Sequence, residues 1–140
     1  MSLYYADTSA VVKLFAEETH SRALADFYDS QPNAQWVSST LLEIELIRTV
    51  RRAAPVLLTD AKDLLLAFAY IAIGDDIVDA AMDEPDQALR SRDAIHLATA
   101  RVLATDLDGF VSYDDRLLAA VSGAGLVGLS PRDEPSGPQA

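Results

Sequence analysis

The chain has 140 residues, half of them hydrophobic, no cysteine and a formal net charge of −11. It is long enough for one domain with a real core, and the composition excludes wholesale disorder, disulfides and thiolate metal sites. The acidity argues against a general nucleic-acid binder held by a basic face, although carboxylates can gather to hold a cation while a few basic residues line one groove.

Leu3-Tyr4-Tyr5-Ala6 is a short apolar run that ends at Asp7-Thr8-Ser9, after which the apolar spacing becomes that of a helix reaching Phe15. Asp7 therefore falls at the carboxyl end of a first strand, where ligands bind in an open α/β sheet. Thr19 is placed to cap a second helix that runs to Asp29 and breaks at Pro32 and Asn33. Trp36-Val37 reads as a second strand, and Ser38-Ser39-Thr40 offers caps for a helix that extends to Ala53 and stops at Pro55.

On that helix, a turn of about 100° per residue puts Leu42, Leu46, Val50 and Ala53 on the buried stripe, Glu45 on its margin and Glu43 on the far side. Only Glu45 can look from the core toward a cleft, and Arg48 and Arg52 follow it along the same ridge. A surface Glu45–Arg48 pair of small energetic value is the plain account. The functional one is a site carboxylate with guanidinium groups ready for phosphate.

Thr59 or Asp60 opens another helix carrying Leu64, Leu65, Phe68 and Ile71 and closing at Gly74, with Leu64 to Ile73 as its apolar run. Gly74 to Gln87 is acidic and irregular, with Ile77-Val78 as a third-strand candidate and Pro85 starting a short helical piece. Ser91 is placed to cap a helix from Arg92 to about Ala104. Asp93 lies in its first turn, where the helix dipole favours a carboxylate with or without a ligand. His96, one turn later beside Ile95, Leu97 and Ala98, reads as a core or edge residue rather than a metal ligand.

Gly109-Phe110-Val111-Ser112 forms a fourth strand ending at Tyr113-Asp114, Arg116 to Val121 a helix and Leu126 to Gly128 a short last strand. Residues 1–130 make up the domain and 131–140 a flexible C-terminal tail. No apolar run reaches the roughly 20 residues of a membrane span, and no basic region followed by an apolar stretch opens the chain. The expected compartment is the cytoplasm, with no membrane partner.

Strands alternating with helices imply an α/β fold with three layers, α/β/α, around a central, mostly parallel sheet of four to five short strands. Acids at strand ends then share one edge, and Asp7 and Asp114 each follow an apolar strand. Carboxylates drawn together repel one another and raise each other's pKa unless a cation neutralises them. With no cysteine and no histidine pair, that cation is hard and oxygen-liganded, Mg2+ with Mn2+ as its substitute.

Four stretches, in this order and spacing, carry a family resemblance: Tyr5-Ala6-Asp7-Thr8-Ser9-Ala10; Val37-Ser38-Ser39 followed by Glu45-Leu46-Ile47-Arg48 and Arg51-Arg52; Arg92-Asp93-Ala94-Ile95-His96-Leu97-Ala98-Thr99-Ala100; and Phe110-Val111-Ser112-Tyr113-Asp114 with Arg116-Leu117. Through them the chain, from Tyr4 to Leu129, resembles the PIN-domain ribonucleases and, among these, the VapC toxins of bacterial VapBC toxin–antitoxin pairs. The resemblance implies an acidic metal site made by Asp7, Glu45, Asp93 and Asp114, with Ser9 and Ser112 in the same pocket. It also implies a metal-dependent endoribonuclease that is inhibited by a cognate VapB-type antitoxin and forms a homodimer.

Lys13, Arg48 and Arg52 would position the RNA backbone, and the Leu64 to Ile73 helix is a candidate wall for the antitoxin groove, unless it is simply core. Three departures from the family pattern stand out: Ser112 in place of a common threonine, Arg92 in place of an apolar residue, and Asp115 beside Asp114, so the fourth acid could be either. Two other classes put acids at strand ends. A phosphotransfer domain would need a late lysine, whereas the chain holds only Lys13 and Lys62; a non-catalytic binding module would need no metal.

Overall fold

The protein is described by a computed structural model covering residues 1–135. In chain order its elements are β1 (Leu3–Ala6), α1 (Thr8–Phe15), α2 (Ser21–Asp29), β2 (Gln35–Ser39), α3 (Thr40–Ala53), a 3-10 turn at Pro55–Leu57, α4 (Leu58–Leu65), β3 (Ala69–Ile71), α5 (Asp75–Met82), α6 (Ser91–Arg101), β4 (Gly109–Val111), α7 (Asp115–Gly123) and β5 (Gly128–Leu129). The strands pair in parallel in the order β3-β2-β1-β4-β5.

Alternation along β1 separates the two faces of the sheet. Tyr4 and Ala6 pack with Val11, Leu24, Leu42, Leu46, Val50 and Leu65, under α1 to α4. Tyr5 points the other way, into a cluster with Val37, Leu97, Phe110, Leu117 and Val121, under α6 and α7. α5 packs on α6. These are the three layers expected from the sequence.

The strand order places β1 between β2 and β4, so the chain winds outward to one side through β2 and β3 and to the other through β4 and β5. The reversal lies between β1 and β4, which opens a crevice at their carboxyl ends. Ala6 is paired with Val111 there, so Asp7 and Ser112 emerge side by side.

Several expected elements are corrected. The apolar run from Leu64 to Ile73 is not one helix: α4 ends at Leu65, a turn made by Leu66, Ala67 and Phe68 follows, and Ala69–Ile71 becomes β3 against Val37, Ser38 and Ser39. The backbone groups on the open side of β2 require a partner, and an apolar run that includes Tyr70 and Ile71 suits a strand as well as a helix. That run is therefore helix end, turn and strand rather than one helix, and its Leu65, Leu66, Phe68 and Tyr70 line a cavity beside Glu43 and Ile47.

Gly74 consequently opens a helix instead of closing one. Ile77 and Val78 lie within α5, where Ile77 is buried and Val78 exposed, the pattern of a helix face. Pro85 begins no helix, and residues 83–90 are irregular, with turns and bends. Ala53 is exposed, so the buried stripe of α3 ends at Val50.

Helix caps differ as well. Ser91 is the first residue of α6 and Arg90 occupies the cap position. α2 starts after His20 rather than Thr19, with His20 in the left-handed region at φ 71°. Its cap comes from far along the chain: Asp133 accepts from His20 N at 2.9 Å and Ala23 N at 3.1 Å. Pro131 O also accepts from the Tyr113 hydroxyl at 2.6 Å, so residues 131–133 are tied to the body of the domain. Of the rest of the expected tail, residues 134–135 are irregular and exposed, and residues 136–140 lie outside the described residues.

Candidate active site

α1 begins directly after β1, so Asp7 has to serve both the turn and the helix. Its backbone is extended and its Oδ1 caps α1 by accepting from Ala10 N at 3.0 Å. The same Oδ1 accepts from Ser9 Oγ at 2.7 Å, and Oδ2 accepts from Ser112 Oγ at 2.7 Å. Each serine also accepts a backbone N–H, Ser9 from Tyr113 at 3.0 Å and Ser112 from Asp114 at 3.1 Å. This hydroxyl pair staples the end of β1 to the end of β4. Burial pushes the Asp7 pKa up, against the pull of His96 and the three donated bonds.

Asp114 repeats the arrangement on the neighbouring strand, capping α7 through Leu117 N at 2.9 Å. Asp115 turns away, its side chain 93 % exposed and 3.8 Å from Arg132. Asp93 sits in the first turn of α6, nearly buried. Its pKa is raised by burial first and by Asp114 second, with Arg90, Arg92 and His96 opposing. Arg90 joins the two acids, 3.5 Å from Asp93 and 3.5 Å from Asp114. Three of the four predicted acids thus stand at helix N-termini, where the dipole favours negative charge.

Glu45 approaches from α3. Its Oε1 accepts from Thr8 Oγ1 at 2.7 Å and from His96 Nε2 at 3.1 Å, and its Oε2 lies 3.9 Å from Arg92. Burial alone would raise its pKa, but the bonds from His96 and Thr8, with Arg92 nearby, outweigh it, so the pKa lies below the ordinary range.

All four acids line one cavity of about 380 Å³ together with Ser9, Lys13, Thr49, Arg92, His96 and Tyr113. Lys13 bonds Glu18 at 3.2 Å and Thr19 O at 2.8 Å, and its ammonium stands 4.9 Å above the Tyr113 ring. Arg48 and Arg52 are exposed on α3 and are not among the residues lining this cavity. Sequence reasoning overlooked Thr8, Arg90 and the contact made by His96, and it read Arg92 only as a departure from a pattern. The Arg90–Asp93 spacing of three residues on a helix was the available signal.

Among the described residues, no three acidic or histidine side chains are grouped closely enough to hold a metal ion. Asp7 is instead held by Ser9, Ser112 and Ala10 N, Glu45 by Thr8, His96 and Arg92, and Asp93 and Asp114 by Arg90. The donor set, carboxylate oxygens crowded enough for Asp114 to raise the Asp93 pKa, nevertheless fits a hard divalent cation in its chemistry.

The PIN domain family profile matches residues 4–123. Ribonuclease VapC35 of Mycobacterium tuberculosis is 38 % identical over 131 residues, which covers 92 % of this chain and 97 % of that protein. Ribonuclease VapC47 of the same species is 34 % identical over 132 residues, with coverage of 92 % and 97 %. Among solved structures, a toxin–antitoxin complex from Klebsiella pneumoniae superposes with a TM-score of 0.68 at 19 % identity over 95 % of this chain and 99 % of that one. FitAcB from Neisseria gonorrhoeae does so with 0.70 at 14 % identity over 91 % and 97 %; likeness at such identities concerns the fold. With a family profile spanning most of the sequence and relatives matched over nearly their whole length, this chain belongs to the PIN domain family, among the VapC ribonucleases.

Proposed function

We propose that the chain is the toxin of a type II toxin–antitoxin pair, an endoribonuclease that hydrolyses RNA phosphodiester bonds with the help of a divalent cation. The observation that carries the reading is the convergence of Asp7, Glu45, Asp93 and Asp114, drawn from four separate segments, on one cavity. These residues would hold Mg2+, or Mn2+ in its place. When bound, the cation polarises the phosphate and acidifies the attacking water.

The chain's own groups supply the rest. Asp93, its pKa raised by burial and by Asp114, would accept a proton from water. Lys13 and Arg92, on the rim of the cavity, hold the phosphates on either side of the scissile bond. Arg48 and Arg52, exposed on the helix that carries Glu45, would extend that contact along the RNA. A chain with a formal charge of −11 has little basic surface of its own, so a homodimer pooling two sets of arginines is the form that binds RNA. A VapB-type antitoxin would cover the site. The enzyme would work in the cytoplasm, on cellular RNA.

Purified protein incubated with total RNA and Mg2+, followed by mapping of new ends, tests the activity. Cleavage should vanish with a chelator and in Asp7→Asn, and the small protein encoded beside the chain should co-purify with it and block cleavage. A folded Asp7→Asn chain that still cuts RNA overturns the reading.

A further inference from the structure

Behind the acids, a buried line of hydrogen bonds runs from the sheet to the cavity. The hydroxyl of Tyr5, a fully buried residue of β1, lies 2.7 Å from His96 Nδ1, and His96 Nε2 lies 3.1 Å from Glu45 Oε1. Thr8 Oγ1 donates to the same Oε1 at 2.7 Å. The groups at the two ends fix the direction of the chain of bonds. A carboxylate oxygen can only accept, so at 3.1 Å from Glu45 Oε1 it is Nε2 that carries a proton. In the neutral imidazole Nδ1 is then the acceptor, and the Tyr5 hydroxyl 2.7 Å away is its donor. The Tyr5 ring also packs edge-on to the imidazole, with centroids 5.8 Å apart and planes at 76°.

We propose that His96 is a positioning residue: Tyr5 fixes its tautomer, and His96 with Thr8 ties down Oε1 of Glu45 so that Oε2 is the oxygen presented to the cavity. The inference rests on the reading of Glu45 as a site acid. Tyr5 does not line the cavity, so its influence passes through the imidazole. Without the tyrosine hydroxyl, the imidazole is free to carry its proton on Nδ1. A bare Nε2 lone pair would then face the carboxylate, and Glu45 would lose one of its two anchors.

The chain has only two histidines, so nitrogen NMR resolves the tautomer directly. Wild type should show His96 with a protonated Nε2 and a bare Nδ1, and Tyr5→Phe should shift those signals toward a tautomer mixture. Calorimetric Mn2+ titration should show affinity falling by about tenfold in Tyr5→Phe and by as much as about a hundredfold in His96→Leu, the range for groups that orient a metal ligand. His96→Gln, whose amide can still donate to Oε1, should retain most of the affinity. In RNA cleavage the same order should appear in kcat with KM little changed.

Thermal melts identify folded variants, and Tyr5→Phe, which removes a single oxygen, carries the test if His96→Leu does not fold. Unchanged tautomer and Mn2+ affinity in Tyr5→Phe overturn the proposal, as does a folded His96→Gln as defective as His96→Leu. A wild type that binds Mn2+ and shows the tautomer response but cuts no RNA refutes the ribonuclease reading and leaves the relay standing.

Discussion

A charge on Asp7 comes at the expense of stability. Folding raises its pKa, because burial outweighs the donated bonds, so the fold favours the protonated form. The favourable contribution is therefore fully present below the ordinary aspartate pKa and is lost as pH rises through the raised one. Asp7→Asn, which keeps an acceptor for Ala10 N, should melt at a higher temperature than wild type at neutral pH. The difference should shrink as pH falls through the raised pKa, and melts across a pH series read both. Glu45 has the opposite sign: its lowered pKa contributes stability above the ordinary glutamate value that fades as pH falls through the lowered one.

At this scale the sequence told a good deal. The helical turn angle separated Glu45, half-buried at the cavity, from Glu43, exposed on the far side. His96 was the harder residue. Its apolar neighbours described a core histidine correctly, since it is 2 % exposed, yet its ring reaches both Tyr5 and Glu45. Burial and site contact are not alternatives for a side chain with two polar ends, and spacing along one helix cannot reveal partners on two other elements.

Among elements, the informative failures are those where tertiary pairing overrode local pattern. Nothing between Leu64 and Ile73 marks where helix gives way to strand. The decision comes from β2, whose Val37 to Ser39 pair with Ala69 to Ile71. Similarly, α2 lacks a local cap because Asp133 supplies one. Asp133→Ala should cost about 1 kcal/mol, a melting drop of about 4 °C for a domain of this size, with RNA cleavage unchanged below the transition.

A second latch joins α6 to the turn after α5. Arg101 Nε bonds both oxygens of the buried Glu84. Arg101→Ala leaves that carboxylate buried and unpaired, so stability should fall by about 3 kcal/mol, toward the lower end for a broken buried pair because Arg101 is partly exposed. Denaturant unfolding measures it; the double variant Glu84→Gln with Arg101→Ala should recover part of the loss.

For the molecule as a whole, the decisive fact is the strand order, which sets Asp7 and Ser112 at the crevice between β1 and β4. Alternation of strands and helices was enough to predict a parallel three-layer fold with acids at one edge, but not where the winding reverses. A cation bound by acids from four segments stabilises only the assembled fold. Mn2+ at about a hundred times its dissociation constant should therefore add about 2.7 kcal/mol to wild type and much less to Asp7→Asn, a comparison that melting with and without the ion provides.

The bond from Ser112 to Asp7 spans 105 positions in the chain. During synthesis on the ribosome, β1 emerges early and waits until β4 has left the exit tunnel before the crevice can close. A nascent or prematurely terminated product ending before Ser112 lacks both the staple and Asp114, so the cell that makes this chain meets a finished catalyst only after β4 and the start of α7 have been made.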